Sequence, residues 1–349
     1  MEIQQATQPP LPPVQRSSIW KERIIKNFLP LVFAFAIVVA MSWPTPGLRV
    51  SSLVVKGVHI IQALNTFLVF LVSGLTLNVD DLRAALKAWL GLLYGVPAIL
   101  LITPCLGFAA THIHLQPPEF STGVAIFCAV PTTLGVGVAL TAAAKGNQAL
   151  ALFLTVFTNL MAIVTVPYGL KLILAGSKAV SVNPTRLVIS LLLTVLLPTL
   201  IGLLLCHYIQ RLATTVKRHK VKLTLFSHIN LAMIIWQTLS GARAVLIAQR
   251  VTSILVIVAV GILQHLIYLA FNALAVLCLR LQAREAVAVL IMTSQKSAPV
   301  AVTVIAYITS DTSLQGLLSV PAIIGQLAQI FMGTVLVHFL SKLVKEPVD

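Results

Sequence analysis

Ten runs of apolar residues succeed one another along the 349-residue chain. They lie at about 27 to 43, 57 to 77, 88 to 112, 121 to 143, 149 to 174, 187 to 209, 223 to 240, 251 to 279, 286 to 308 and 317 to 341. A helix needs about 20 apolar residues to cross the hydrocarbon core of a bilayer. Most of the runs meet that length; the first and seventh are short. The connectors are brief and carry turn chemistry, such as Lys145-Gly146-Asn147 and Asn183-Pro184. An all-α polytopic membrane protein with ten transmembrane helices is the expected fold class. Only 9% of the side chains are charged, against about a quarter in soluble domains, so the bilayer is the expected surrounding.

The formal charge of +15 does not point to nucleic acid, because the basic residues are scattered over short connectors and form no single face. They are topological. The amino terminus, the connectors after spans two, four, six and eight, and the carboxyl terminus hold sixteen Lys and Arg, and the other connectors with Lys171 hold seven. By the positive-inside rule both termini then face the cytoplasm or its equivalent. Residues 1 to 26 form a polar tail ending in an interfacial anchor of Trp20, Lys21, Arg23 and Lys26, residues 27 to 341 the membrane domain, and 342 to 349 a short tail. Cys105, Cys128, Cys206 and Cys278 fall inside apolar runs without CxxC spacing, which argues against disulfide and zinc readings.

All nine acidic residues fall in termini or connectors, whereas Lys296 lies at the centre of the ninth run. A charge at mid-membrane costs roughly 2.5 to 3.5 kcal/mol on insertion scales. Pro299 follows it, and a mid-helix proline leaves a carbonyl without its donor. The stretch TSQKSAPV, 293 to 300, therefore reads as a broken helix whose unwound middle lines a polar cavity, with Lys296 facing that cavity. The fourth run breaks in the same way at Pro131-Thr132-Thr133.

Five spans per half would set the second half upside down relative to the first, and weak correspondences support two inverted repeats, 27 to 174 and 187 to 341. Pro30 in span one matches Pro198 in span six; Asn65 and Ser73-Gly74 in span two match Asn230 and Ser240-Gly241 in span seven. The breaks of spans four and nine correspond as well, and interrupted helices at matching places are the best sequence pointer to a carrier's binding site. The candidate substrate or ion contacts are Lys296, Gln295, Ser297, Thr132, Thr133, Thr155, Asn159 and Asn65, with Pro131 and Pro299 as helix breakers. Gln264, His265, Gln326 and Gln329 also interrupt apolar runs; His265 is a candidate proton sensor or carrier, but a lone membrane histidine is more often a hydrogen-bonded packing residue.

The order of SGLTL (73 to 77), VPTTLGVGV (130 to 138), KGNQALAL (145 to 152), TSQKSAPVAV (293 to 302) and SVPAIIGQLAQIFMGTVLV (319 to 337) resembles the bile acid:sodium symporter family. It is most similar to the plastid-type sodium/metabolite cotransporter branch and its animal relatives. The resemblance implies a panel domain and a core domain, crossed broken fourth and ninth helices, and sodium held beside an organic anion. It also implies the chloroplast envelope in a plant or alga and the plasma membrane elsewhere.

Several positions depart from the family's pattern. Gln295 matches its glutamine, but Lys296 stands in place of an asparagine and Ile291 in place of a glutamate. Gly135 to Val138 offer no side-chain oxygen where the family has serine or asparagine, and Ala151 replaces a hydroxyl. Thr155 and Gln295 remain as candidate sodium ligands. The expected function is a secondary transporter of small organic anions, carboxylate metabolites, in which Lys296 takes the place of a sodium ion and proton release from it is a candidate coupling step. The rivals are a sodium-coupled symporter with a rebuilt ion site and a non-transporting membrane regulator. No enzyme motif is present, no cofactor beyond sodium is implied, and the oligomeric state is left open.

Overall fold

The computed structural model of the protein describes residues 28–55, 58–77, 83–133, 135–176 and 180–344. The tail of residues 1 to 26, Asp80 and Asp81, and the carboxyl tail past Val344 lie outside the described residues.

The described residues are helical almost throughout. Helix α1 (Phe28–Ser42) bends by 96° into α2 (Pro44–Ser51). Trp43 precedes a proline, whose ring excludes helical geometry from the residue before it, and it takes φ −136°, ψ 78°. A two-residue hairpin, Val54–Val55 against Val58–His59, leads into α3 (Ile60–Thr76). Helix α4 (Trp89–Thr111) widens into a π turn at Ala98–Ile102, directly after Pro97. Then come α5 (Glu119–Ala129), α6 (Val136–Ala143), α7 (Gln148–Ile173) and α8 (Pro184–Tyr208). The second half holds α9 (Gln210–Arg218), α10 (Lys220–Ile247), α11 (Val251–Cys278), α12 (Ala283–Ser294), α13 (Ala298–Ile308) and α14 (Thr312–Leu343).

Among the described residues, seven helices are long and apolar enough to cross a membrane, or eight if the bent pair α1 and α2 is one span; α3 and α5 are shorter apolar helices. The seventh apolar run, read from sequence as short, is the 28-residue α10, because Lys220, Lys222 and Arg243 prolong the helix beyond its apolar part. Lys220 and Lys222 are exposed at the helix start, where long basic side chains keep their charges in water, and Arg243 donates from Nε to the Met41 carbonyl at 2.6 Å.

The helices pack in two groups. In one, α1 lies along α10 and α3 lies against both α8 and α10. A Cβ on Gly74 of α3 would collide with the Thr199 carbonyl of α8, so glycine there sets how closely those helices approach. The other group holds α4 to α7 and α11 to α14. Within it α12 and α13 are central: 94% of their apolar window is buried, against 28% for α11. A segment that well enclosed needs no lipid-facing apolar surface, which allows its chain to unwind.

Candidate functional site

Two interruptions meet inside the second group. Helix α5 ends at Ala129, Val130 is extended (ψ 157°), and α6 begins at Val136. Helix α12 ends at Ser294, Gln295 is extended (ψ 147°), and α13 begins at Ala298. Unwinding frees backbone groups, and burial makes each unpaired one costly. The two links bond to each other: the Ser297 N–H donates to the Pro131 carbonyl at 3.1 Å.

Neighbouring helices satisfy most of what remains. The side-chain oxygen of Gln329 accepts from the Lys296 N–H at 2.9 Å, and that of Gln326 from the Ala298 N–H at 2.8 Å. These two glutamines sit three apart on α14 and face the break, as i and i+3 positions must. Asn159 on α7 donates to the Thr132 carbonyl at 3.2 Å and to the Thr155 carbonyl at 2.7 Å. His265 on α11 bonds the Ser294 carbonyl through Nδ1 at 3.0 Å. Each of the new first turns takes a side-chain acceptor: Thr133 Oγ1, two residues before the α6 N-cap, accepts from the Gly137 N–H at 2.8 Å, and Ser297 Oγ, the α13 N-cap, accepts from the Val300 N–H at 3.5 Å.

Lys296 is fully buried, as expected, but it does not line the cavity described below. Its Nζ donates to the carbonyls of Val130 (2.9 Å) and Ile99 (3.1 Å), with the Tyr268 ring centre 5.8 Å away, within cation–π range. Ile99 belongs to the π turn of α4, where the wider hydrogen-bond register redirects carbonyls that an α-helix would hold in line. The sequence expectation that Lys296 faces the cavity is thus corrected: the side chain turns away from it and joins α4 to the break of the fourth run.

A cavity of about 320 Å³ reaches both interruptions. Its floor includes Thr133, Gly135, Ser297 and Pro299, the starts of α6 and α13. Helix starts carry unpaired N–H groups and the positive end of the helix dipole. Its wall on α10 is one helical stripe, Lys220, Thr224, Ser227, His228 and Leu231, running from exposed residues at the mouth to a buried one at depth. Ser73 and Thr76 of α3 and Thr155 of α7 add hydroxyls. No Asp or Glu is among the described lining residues.

Of the expected contacts, Thr133, Thr155 and Ser297 line this cavity. Thr155 Oγ1 is already engaged, donating to the Ala151 carbonyl at 2.9 Å. Gln295, Thr132, Asn159 and Asn65 do not line it, nor does Lys296. Gln295 and Thr132 are buried in the crossing with Oε1 and Oγ1 unpartnered, Asn159 braces the fourth-run break, and Asn65 is buried on the other half of α3. Pro131 sits in the first link, whereas Pro299 lies in the opening turn of α13, where a missing N–H costs nothing. Sequence reasoning gave Lys220 a topological role only and His228 none, and it gave Gln326 and Gln329 none in binding the breaks. Gln326 and Gln329 were visible as amides three apart on an apolar helix, but the helix face they serve was not.

Apolar helices of membrane length, folded around a cavity of about 320 Å³ at two interrupted helices, define a multi-pass membrane protein. Residues 27–342 match the SBF-like CPA transporter family, and the chain belongs to it. The family is one of transporters and not of enzymes. The chain is 36% identical over 322 residues to the probable sodium/metabolite cotransporter BASS4, chloroplastic, of Arabidopsis thaliana, covering 89% of this chain and 72% of that one. A relative of the same name from Oryza sativa subsp. indica is 36% identical over 90% of this chain and 75% of its own. Sodium/bile acid cotransporter 7-B of Xenopus laevis is 27% identical over 90% of this chain and 92% of its own.

Proposed function

We propose that this protein is a secondary carrier of small organic anions, carboxylate metabolites, working by alternating access. The observation that carries the reading is the cavity floor, where two helix starts converge and no described lining residue is acidic. That arrangement favours a negative group.

The carrier is built of ten spans in two inverted five-helix repeats, 27 to 174 and 187 to 341. Helices α1, α3, α8 and α10 form the panel, the remaining spans the core, and α5–α6 and α12–α13 are the broken fourth and ninth spans. The packing supports this reading, because exchanging each span with the one five later maps most of the helix pairs onto one another: α1 with α10 becomes α8 with α3. The termini face the cytoplasm or stroma, and the names of the plant relatives favour a plastid envelope.

Lys296 substitutes for a bound sodium ion. Its Nζ meets two main-chain carbonyl oxygens, the ligand type that unwound helices offer to sodium. Acting from behind the floor, this charge supports anion binding without touching the anion. The second reading is sodium-coupled symport, favoured by the names of the relatives and by the unpartnered oxygens of Gln295 and Thr132 beside the crossing; Thr155 and Gln295 would then be ligands.

Uptake by purified protein in liposomes, against a panel of carboxylates with and without a pH gradient, tests the function. Saturable flux of at least one carboxylate is expected. Absence of any flux, with no ligand-dependent thermal shift, would make the chain a non-transporting regulator.

A further inference from the structure

Two buried histidines are tied to main-chain carbonyls. His59 bonds Ser51 through Nδ1 at 2.7 Å, and His265 bonds Ser294 through Nδ1 at 3.0 Å. A carbonyl only accepts, so both rings keep a proton on Nδ1. Their Nε2 atoms lack partners, but neither residue lines the cavity. His228 differs on both counts. It lines the cavity, its Nδ1 is buried without a partner, and its ring stacks on Phe28 of α1 with centroids 6.3 Å apart. Nearly all buried polar groups in native proteins are paired, so an imidazole nitrogen left open at a cavity wall calls for a ligand.

Where His228 sits in the cavity matters as much as its open nitrogen. Along the α10 stripe it follows Lys220, Thr224 and Ser227 and precedes Leu231, so it is the deepest polar group that α10 brings toward the floor. Eight residues separate it from Lys220, about 12 Å along the helix axis. Lys220 is the only other titratable group among the described lining residues; α1, α3, α6, α7, α13 and α14 contribute none. Lys217, Arg218 and Lys222, also near the start of α10, are exposed and do not line the cavity. These side chains and the two helix starts of the floor are all positive. A charged imidazole is therefore favoured among them only beside an anion.

An anion that crosses alone carries its charge through the membrane potential. Lys296 cannot cancel that charge, because its amine is tethered to the protein, held by the Val130 and Ile99 carbonyls, and absent from the cavity lining. Resting on the carrier reading, we infer that His228 is the proton-binding site of the cavity and that one proton crosses with each anion. The proton is taken from water onto an imidazole nitrogen as the anion settles on the floor, and both are released on the opposite side. Anion and proton each strengthen the other's binding, as linkage requires, which limits proton leak through the empty carrier.

The test uses full-length protein in liposomes in choline medium, with the membrane potential clamped and a pH-sensitive dye trapped inside. Pyruvate, succinate or glycocholate is added outside at equal starting pH. The anion that is carried should acidify the lumen beyond protein-free liposomes, and an inward gradient of one pH unit should then accumulate a monoanion about tenfold. In the unmodified protein KM should rise with pH, by up to about tenfold per unit, while the carboxylate itself stays ionised. His228→Gln keeps a polar side chain that cannot be charged; it should lose both the accumulation and the rise in KM. His228→Asn gives the same reading if the longer amide disturbs the stack on Phe28. Uptake by the unmodified protein without proton entry, or a pH gradient that drives the variants as far as the unmodified protein, would overturn the inference. Absence of any uptake or exchange by the unmodified protein would instead sink the carrier reading on which it rests.

Discussion

The main-chain N–H of Ser297 donates to the carbonyl of Pro131 at 3.1 Å, and through that bond the two interrupted segments become one unit. Lys296 Nζ on the Val130 carbonyl adds a second tie across the same junction. Either break alone would leave buried backbone groups unmatched; crossed, each supplies partners to the other.

The glutamines of α14 complete that junction, so losing one leaves a buried N–H without an acceptor. Gln326→Leu and Gln329→Leu should each destabilise the protein by about 1 to 3 kcal/mol. Thermal unfolding in detergent reads this as a lowered midpoint. The double variant should fall short of the sum, because both side chains serve one link. A midpoint unchanged in both single variants would show that the links are held some other way.

Thr133 lines the cavity and caps the Gly137 N–H. Thr133→Val keeps the shape and removes the oxygen. Apparent KM for the anion should rise about tenfold, the loss of one hydrogen bond to a charged group, with a smaller change in Vmax. Kinetics of uptake in liposomes decide it; an unchanged KM would remove Thr133 from the floor's working surface.

Gly74 packs against the backbone of Thr199, leaving no room for a side chain. Gly74→Leu should force α3 from α8 and reduce the yield of monodisperse protein sharply, whereas Gly176→Leu, where a Cβ meets nothing within 4 Å, should not. Size-exclusion profiles of the two variants side by side make the comparison.

Much of this was legible in the sequence, for identifiable reasons. The apolar runs marked helices because membrane-length apolar stretches have few other uses. Pro131 and Lys296 marked the interruptions because both disfavour an unbroken apolar helix. Thr133, Thr155 and Ser297, read from sequence as candidate contacts, line the cavity. Lys296 was not, since the rotation of a residue in an unwound link follows no helical period, and its acceptor, the Ile99 carbonyl, belongs to a π turn with no distinctive side chain. Asn65 was singled out by its correspondence with Asn230 between the repeats; which half of α3 faces the cavity depends on how two distant helices pack. The stripe from Lys220 to His228 went unread because its basic end also satisfied the topology rule.

Whether the Lys296 amine holds the place of an ion, as proposed, is decided by the sodium dependence of carboxylate uptake in liposomes at fixed pH. The unmodified protein should run at the same rate in sodium as in choline, and Lys296→Asn should lose uptake in choline and recover part of it in sodium. Uptake by the unmodified protein that collapses in choline and saturates with added sodium would contradict the claim.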